Sequence, residues 1–224
     1  MTVDLKYPRD LPWVTPHNLF ASFTIGTDHD VYHQADYCRI DRYVKDLLKR
    51  LLKSFSSACS ILEVSCGTAH FTRWLDEQVL RAIGLDFSRP MLEQAKHLKS
   101  RSILQGDALR LPFISASFDL VALITALEFT SNPIQTLNEA VRLAKQGLIL
   151  ISLNAHGHSS GRGNRREGSI WEVTRLFTQV ELRLLLREVV GNKPRILWQT
   201  SRPFWSEASP FIWGDFIGVA VKLS

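Results

Sequence analysis

The chain alternates between short apolar segments and amphipathic segments along most of its length. The segments 118–125 and 148–153 are almost entirely apolar, as strands are when both faces of a parallel sheet are buried. In the segment 40–55, apolar residues recur three and four positions apart, which is the spacing of an amphipathic helix. Strands that alternate with helices predict an α/β fold. The alternation continues to the C terminus without a break, so we expect one domain over residues 1–224.

The remaining predicted strands and helices follow in the same order. A strand at 60–64 leads into a turn of small residues and a helix that starts at Thr68. A second strand, 82–85, is followed by Asp86, after which Ser88 is a suitable N-cap for the next helix. We predict further strands at 103–104, 195–199 and 216–221, and further helices at 133–143 and 179–190.

Length and composition place the chain among ordinary folded proteins. It has 224 residues, of which 45% are hydrophobic and 22% are charged, which excludes disordered and collagen-like chains. Its apolar runs are far shorter than the roughly 18 residues that cross a bilayer, so no membrane partner is expected. The N-terminal residues 1–12 mix charges with prolines, unlike a secretory signal. We therefore expect a cytoplasmic protein.

Cysteine content and net charge constrain the partners only weakly. The three cysteines, Cys38, Cys59 and Cys66, share no spacing typical of a metal site or of a disulfide framework. We expect free thiols and no bound metal. The net charge of +5, with a sequence pI near 9.3, favours acidic partners in general but is too small to indicate nucleic-acid binding.

Three irregular segments accompany the regular pattern. Residues 1–37 carry prolines among aromatic residues and are predicted to form an arm on the domain surface. The first insertion, 154–175, is rich in glycine and arginine and follows the apolar strand 148–153. The second insertion, 201–213, concentrates tryptophan and phenylalanine between the last two strands. Because ligands bind outside the carboxyl ends of parallel strands, we predict that both insertions lie on the substrate side.

Small or acidic residues follow the first three predicted strands, and each group suits a different part of a nucleoside. The small residues at 65–69 permit a close backbone approach, and the helix behind them offers amide hydrogens to an anionic group. Asp86 is placed to accept hydrogen bonds from the two hydroxyls of a ribose. Asp107 is suited to accept one from an exocyclic amino group such as that of adenine. Single residues of these types also serve as caps and turn formers, so only their combination is informative.

In order and spacing, these motifs resemble the class I S-adenosylmethionine-dependent methyltransferases of the type 11 subgroup. The resemblance extends from about residue 32 to the C terminus. The family's first motif has an acidic residue followed by three alternating glycines. Here Glu63 is followed by Ser65, Gly67 and Ala69, so only the middle glycine is kept. Ser65 and Ala69 each add a Cβ where the turn can require a positive φ.

The resemblance implies a doubly wound, mostly parallel sheet of seven strands, with an antiparallel strand near the C terminus. This is the Rossmann-like methyltransferase fold, a three-layer α/β/α arrangement. S-adenosylmethionine (SAM) is then the implied cofactor, and the arm is implied to form a lid that brings Tyr32 over it. The implied cofactor-binding residues are Tyr32, Glu63, Ser65, Cys66, Gly67, Asp86, Phe87, Met91, Asp107, Ala108 and Thr125.

The implied reaction is transfer of the sulfonium methyl group to a small-molecule methyl acceptor. We expect an apolar or aromatic acceptor because of the rings in the second insertion. Since the leaving thioether needs no proton, catalysis requires mainly proximity and alignment. The sequence identifies no catalytic residue. If the acceptor must lose a proton, the candidates near the rim are His33, His156 and Glu128.

Three other functions are open on the sequence. A nucleic-acid methyltransferase is favoured by the basic charge and by Arg162, Arg165 and Arg166, but the segment 125–129 lacks an Asn-Pro-Pro-Tyr type of motif to grip a base amine. A nicotinamide oxidoreductase requires a G-x-G-x-x-G fingerprint that the turn 65–70 does not contain. A methyltransferase-fold binding protein without activity is compatible with the two missing glycines. The oligomeric state cannot be read from the sequence.

Overall fold

The computed structural model describes residues 35–78, 80–100, 102–157, 174–201 and 214–223, with side chains from residue 40 onward. Within these ranges the helices are α1 (Ala35–Leu52), α2 (His70–Glu77), α3 (Arg89–His97), α4 (Pro133–Leu143) and α5 (Gln179–Val190). The strands are β1 (Ser60–Val64), β2 (Arg81–Asp86), β3 (Ile103–Gln105), β4 (Phe118–Ile124), β5 (Ala144–Leu153), β6 (Arg195–Thr200) and β7 (Phe216–Lys222). A 3₁₀ turn, Leu127–Phe129, follows β4.

In the described part of the chain, the strands form a seven-stranded sheet with the order β3-β2-β1-β4-β5-β7-β6. Neighbouring strands from β3 to β5 are parallel, whereas β7 runs antiparallel to both β5 and β6. The sheet is therefore doubly wound and mostly parallel, with an antiparallel strand near the C terminus. The predicted fold class is confirmed.

Helices cover both faces of the sheet because alternate residues of a strand point to opposite sides. In β4, Val121 and Leu123 belong to a buried cluster that contains residues of α4 and α5. Leu120 and Ala122 of the same strand belong to a second buried cluster, which contains Leu47 of α1. The sheet thus lies between two helical layers, as the three-layer α/β/α arrangement predicts.

Local sequence signals explain where three of the helices begin. The Ser88 side chain caps α3, and the Asn132 side chain caps α4. At α5, Thr178 and Glu181 form a capping box. Each cap provides an acceptor for amide hydrogens that the first helical turn otherwise leaves without partners. These three helices begin where the sequence predicts them.

Two helices differ from their predicted bounds. Helix α1 begins at Ala35 and ends at Leu52, whereas the apolar spacing predicts a helix over 40–55. Helix α2 begins at His70 rather than at Thr68 because Ala69 has a left-handed backbone conformation, with φ at 59°. A right-handed helix cannot include a residue of that conformation, so the turn extends two residues further than predicted.

Helix α1 is amphipathic, as its sequence indicates. Val44, Leu47 and Leu51 are buried against the sheet, whereas Lys49 and Lys53 are exposed.

No helix in the described ranges is both long and apolar enough to cross a membrane.

Candidate cofactor site

The carboxyl ends of four neighbouring strands meet at one edge of the sheet, which we call the carboxyl edge. The register pairs Val64 of β1 with Leu85 of β2 and Leu123 of β4. It also pairs Asp86 with Gln105 at the end of β3. The strand order reverses at β1, since β2 lies on one side of it and β4 on the other. In open α/β sheets, ligands bind in the crevice at such a reversal.

The turn after β1, residues 65–69, has a left-handed backbone at every second position. Ser65, Gly67 and Ala69 have φ values of 59°, 55° and 59°. These are the three positions at which the resembling family has glycines, so the turn keeps a glycine-type conformation with side chains at two of them. A Cβ added to Gly67 would meet no heavy atom within 4 Å. The backbone at Gly67 therefore borders open space in which a ligand can approach it closely.

Asp86 links this turn to the end of β2. Its Oδ2 accepts a hydrogen bond from the Gly67 amide at 2.7 Å, and its Oδ1 accepts one from the Ser88 amide at 2.8 Å. The two contacts fix the orientation of a half-buried carboxylate at the carboxyl edge. A carboxylate has about four acceptor positions, so a group held in this way is suited to bind the hydroxyls of a ribose.

Glu63 lies beneath the turn rather than on its surface. It is 2% exposed, and its carboxyl group accepts a hydrogen bond from the Thr72 hydroxyl of α2. Burial raises the pKa of Glu63 to about 8 because the protein interior disfavours the charged form. The group is therefore mostly protonated at neutral pH and supports the turn from below. Its role in cofactor binding stays a prediction.

The space around Glu63 is shared by Cys66, Thr72 and Gly84. Gly84 lies opposite Glu63 in the register of β1 and β2. A Cβ at Gly84 would come within 2.6 Å of Thr72 Oγ1 and 2.8 Å of Cys66 Sγ, so only glycine fits here without a shift. Burial raises the pKa of the Cys66 thiol, which therefore stays protonated and packs rather than reacts.

The residues predicted to line the adenine pocket follow β2 and β3. Phe87 is 47% exposed, whereas Met91 in α3 is buried. Asp107 is exposed, and its Oδ1 accepts a hydrogen bond from the Leu109 amide at 2.8 Å. Ala108 beside it is half-buried. Asp107 thus acts at least as a turn former, and the contacts of all four residues with a cofactor stay predictions.

The turn after β4 contains Thr125 and Glu128. Thr125 is left-handed, with φ at 49°, and donates its amide hydrogen to the Ile151 carbonyl at 2.7 Å. Glu128 is 2% exposed, and its Oε1 accepts a hydrogen bond from the Leu153 amide at 2.5 Å. Among the residues that the structure describes, Glu128 Oε2 has no hydrogen-bond partner. The sequence names Glu128 as one of three proton acceptors but does not indicate its burial.

Asn154 joins the two insertions at their bases. Its amide donates to the Asp215 carbonyl at 2.9 Å, and its side-chain Nδ2 donates to the Gly214 carbonyl at 2.7 Å. The neighbouring Ala155 amide donates to the Phe177 carbonyl at 3.0 Å, which closes the first insertion. Sequence reasoning missed Asn154, because no local pattern distinguishes it from other loop asparagines.

His70, at the start of α2, is tied to α1. Its Nε2 lies 2.6 Å from Asp41 Oδ1, and Lys45 Nζ donates to Asp41 Oδ2 at 2.8 Å. A histidine at a helix start is typically solvated, but the His70 side chain is half-buried because Asp41 lies against it. Burial lowers the pKa of His70, and the hydrogen bond with Asp41 opposes that shift.

Several predicted site residues lie outside the described part of the chain. Residues 1–34 of the predicted arm and lid fall there, with the candidate base His33 and most of both insertions. Residues 35–37 of the predicted arm instead begin α1. Of the candidate bases, His156 is described and exposed, and its amide donates to Asn154 Oδ1 at 3.0 Å. The predicted residues outside the described ranges are Tyr32, His33, Arg162, Arg165, Arg166, Phe204, Trp205, Phe211 and Trp213.

Part of the chain is similar to known sequences. Residues 62–152 match a family model described as a methyltransferase domain. The match therefore runs from β1 into β5 and includes the turn at Gly67 and Asp86. A demethylmenaquinone methyltransferase of Staphylococcus saprophyticus is 32% identical over 141 residues, which are 56% of this chain and 60% of that protein. The chain thus spans less than two thirds of the length of this curated relative.

Comparison with solved structures supports the fold. A SAM-dependent methyltransferase of Thermotoga maritima matches with a TM-score of 0.68 and 22% identity, over 93% of this chain and 100% of that one. Plantazolicin methyltransferase, solved with a desmethyl analogue and S-adenosylhomocysteine (SAH), matches with a TM-score of 0.63 and 14% identity, over 92% and 95% of the two chains. At these identities the likeness shows the shared fold.

Proposed function

We propose that the chain transfers a methyl group from SAM to a small apolar or aromatic molecule, because residues 62–152 match a methyltransferase-domain family model and the chain shares the fold of class I methyltransferases. The observation that carries this proposal is the hydrogen bond from Gly67 to Asp86. It joins an open, left-handed turn to a fixed carboxylate at the reversal of the strand order.

The described residues fit SAM at the carboxyl edge. A Cβ at Gly67 would fill space that is otherwise open, so the backbone there is shaped for contact with a ligand. Asp86 would bind the ribose hydroxyls, and Phe87 would cover the adenine with an aromatic ring that is otherwise exposed. The residues proposed to hold SAM are Tyr32, Glu63, Ser65, Cys66, Gly67, Asp86, Phe87, Met91, Asp107, Ala108 and Thr125.

At the methyl donor, the chain positions the cofactor and supplies no acid catalyst. When bound, SAM would supply a methyl group on a sulfonium sulfur that departs as a neutral thioether, so no protein acid is required there. Two amide contacts hold Asp86 in one orientation before any ligand binds, which lowers the entropy lost on binding. Glu63 and Cys66 stay protonated and packed beneath the turn, so they add no charge beside the sulfonium.

The proposed acceptor is small and either apolar or aromatic. A relative is named for demethylmenaquinone, and we extend to this chain an apolar, quinone-type ring as the acceptor class to test. The second insertion supports this choice because Phe204, Trp205, Phe211 and Trp213 are more large aromatics than a solvated loop carries. The absence of nucleic-acid binding and a cytoplasmic location stay predictions from the sequence.

A non-catalytic SAM-binding protein is the second candidate. The side chains at Ser65 and Ala69 favour it, because they occupy left-handed positions where the family has glycines. Both candidates require SAM binding, and only the first gives methyl transfer.

Two measurements distinguish the candidates. Native mass spectrometry and SAH calorimetry of the purified chain test cofactor binding, with the Asp86→Ala variant as the comparison. Incubation with methyl-labelled SAM and a panel of reduced naphthoquinones tests transfer, with label expected in the organic extract. SAH binding without transfer to any apolar acceptor supports the non-catalytic protein, and no SAH binding rejects both candidates. Label recovered in added RNA instead would indicate the nucleic-acid enzyme.

A further inference from the structure

Glu128 has a carboxyl oxygen that no described residue satisfies. The side chain is 2% exposed, so solvent does not replace the missing partner. Its Oε1 accepts a hydrogen bond from the Leu153 amide at 2.5 Å, whereas Oε2 has no partner among the described residues. Buried polar atoms nearly always have a partner because leaving one unmatched costs free energy. The unmatched oxygen therefore requires an explanation.

The place of Glu128 in the fold indicates what the missing partner is. It lies in the turn after β4, and β4 pairs with β1, whose end leads into the open turn at Gly67. The Glu128 carbonyl accepts a hydrogen bond from the Arg175 amide at 3.1 Å, at the base of the first insertion. Glu128 thus lies between the turn proposed to hold SAM and a segment proposed to face the acceptor.

Resting on the proposed function, we propose that Glu128 Oε2 accepts a hydrogen bond from a hydroxyl group of the methyl acceptor and takes its proton during transfer. The acceptor class is then an aromatic ring that bears a hydroxyl group. In this step the sulfur–methyl bond breaks and its electron pair stays on sulfur. A bond forms from the methyl carbon to the hydroxyl oxygen, or to a ring carbon conjugated with it, and the hydroxyl proton moves to Oε2. Attack through carbon gives the keto tautomer of the methylated ring.

The surroundings of Glu128 suit a base near neutral pH. Burial raises the pKa of Glu128 to about 7, while the Leu153 amide, the amide of Glu128 itself and the nearby Ser152 hydroxyl oppose the shift. No charged side chain of the described residues contributes to it. Among the described residues of the first insertion, the titratable side chains are the exposed His156 and Arg175, whose guanidinium lies 4.9 Å from the Phe177 ring centroid. A glutamate with this pKa is a stronger base than an exposed one and is still ionised above neutral pH.

Glu128→Gln separates this role from a purely structural one. The glutamine carbonyl can still accept the Leu153 amide hydrogen, so the turn after β4 keeps its contact with β5. The second oxygen becomes an amide nitrogen, which donates and does not titrate. Glu139→Gln is the matched control, because Glu139 accepts the Leu111 amide at 2.7 Å and pairs with Arg142 away from the carboxyl edge.

The experiment measures the binding of 2-naphthol and 2-methoxynaphthalene to the full chain saturated with SAH, by calorimetry between pH 5.5 and 8.5. For the wild type and Glu139→Gln, 2-naphthol should bind at least about tenfold tighter at pH 8.5 than at pH 5.5, as a hydrogen bond to a charged group predicts. The methyl ether should bind with no pH dependence. Glu128→Gln should bind 2-naphthol at pH 8.5 as weakly as the wild type does at pH 5.5.

Each other outcome contradicts a part of the proposal. If the wild type binds the naphthol and the ether alike at every pH, Glu128 does not receive the hydroxyl. If Glu128→Gln keeps the pH dependence, another group is responsible. If neither naphthalene binds the SAH complex, the hydroxyaromatic class is wrong, and the role of Glu128 with it. If SAH itself does not bind, the proposed function fails. If Glu128→Gln does not fold, the pH dependence of 2-naphthol and 2-methoxynaphthalene binding to the wild type still tests the proposal.

Discussion

The Gly67 amide donates a hydrogen bond to Asp86 Oδ2 over 2.7 Å, so the turn after β1 and the end of β2 form one unit. The Ser88 amide holds the other carboxylate oxygen at 2.8 Å. Asp86 therefore has two functions, since it shapes the turn and, in the proposed function, binds the ribose. Its loss should affect ligand affinity more than the loss of a carboxylate that has only a structural function.

Asp86→Ala should weaken SAH binding by at least about tenfold, because each lost hydrogen bond to a charged group is worth roughly 1.5–3 kcal/mol. Calorimetry with SAH measures this. Unchanged affinity in a folded Asp86→Ala protein would show that the carboxylate does not touch the cofactor.

Asp119→Ala is the matched control for this variant. Asp119 Oδ2 accepts hydrogen bonds from the Cys59 and Ser60 amides at 2.9 and 3.1 Å, and it also joins two strands. It does so at the opposite, amino end of β4. Asp119→Ala should therefore lower the free energy of unfolding and leave SAH affinity unchanged.

Gly67→Ala and Ser65→Gly should shift stability in opposite directions. Both positions are left-handed, and a Cβ in that conformation costs roughly 1–2 kcal/mol. Gly67→Ala should therefore lower the free energy of unfolding by about 1 kcal/mol despite the open space around it. Ser65→Gly removes such strain, but the flexibility of glycine stabilises the unfolded chain by about 0.4–1 kcal/mol. We therefore expect Ser65→Gly to raise the free energy of unfolding by up to about 1.6 kcal/mol.

Urea unfolding of the two variants tests these signs, and SAH calorimetry tests the site. Gly67→Ala should also weaken SAH binding, because its Cβ enters the space proposed for the ligand. Equal stability of Gly67→Ala and the wild type would contradict the strained turn.

Glu63 should make the protein less stable as the pH rises. Its pKa in the folded state is about 8, against an ordinary value of 4.5, so the folded protein binds this proton more tightly than the unfolded chain. The resulting stabilisation is complete below about pH 4.5 and is lost as the pH rises to about 8. Glu63→Gln keeps an acceptor for the Thr72 hydroxyl but cannot titrate.

The Tm of Glu63→Gln should therefore fall less than that of the wild type between pH 5 and pH 8.5. The pKa of Glu128 is also raised, to about 7, so its ionisation lowers stability over the same pH range. Glu63→Gln therefore removes only a part of the fall of Tm with pH. Parallel Tm curves for the two proteins would mean that Glu63 is ionised in the folded state.

Gly84→Ala should destabilise the fold, since its Cβ would lie 2.6 Å from Thr72 Oγ1 and 2.8 Å from Cys66 Sγ. Overpacking of this kind typically costs 1–3 kcal/mol. The double variant Gly84→Ala, Cys66→Ala removes one of the two clashing atoms and should recover part of the loss in urea unfolding. A Gly84→Ala protein as stable as the wild type would show that β2 and α2 can move apart.

Much of the fold could be predicted because its signals are local. The apolar run of β4 and the capping residues Ser88, Asn132 and Thr178 lie within or directly beside the elements that they specify. The position of Asp86 at a strand end follows from the same pattern. The antiparallel strand follows from the family resemblance, and the residues themselves do not specify the order of the strands in the sheet.

The remaining features depend on contacts between distant parts of the chain. The left-handed backbone of Ala69 is expected from the glycine that the family has at this position, whereas the residue type of Ala69 does not suggest it. Asp41, twenty-nine positions earlier in the chain, lies against His70 and replaces part of its solvent. Glu128 is buried because β5 lies against its turn. A charged or polar residue in a predicted loop is expected to be solvated, so sequence reasoning could not predict these environments.

Asn154 has a consequence for how such a protein changes over evolutionary time. Asn154 joins the bases of both insertions by hydrogen bonds. The adjoining ends of β5 and β7 therefore keep their positions whatever residues each insertion contains. Doubling the length of a closed loop adds only about 0.6 kcal/mol to the entropic cost of closing it. Insertions anchored in this way can be exchanged for others of different length and composition while the turn after β1 stays intact. In the proposed function, replacing one insertion would change the acceptor without rebuilding the domain.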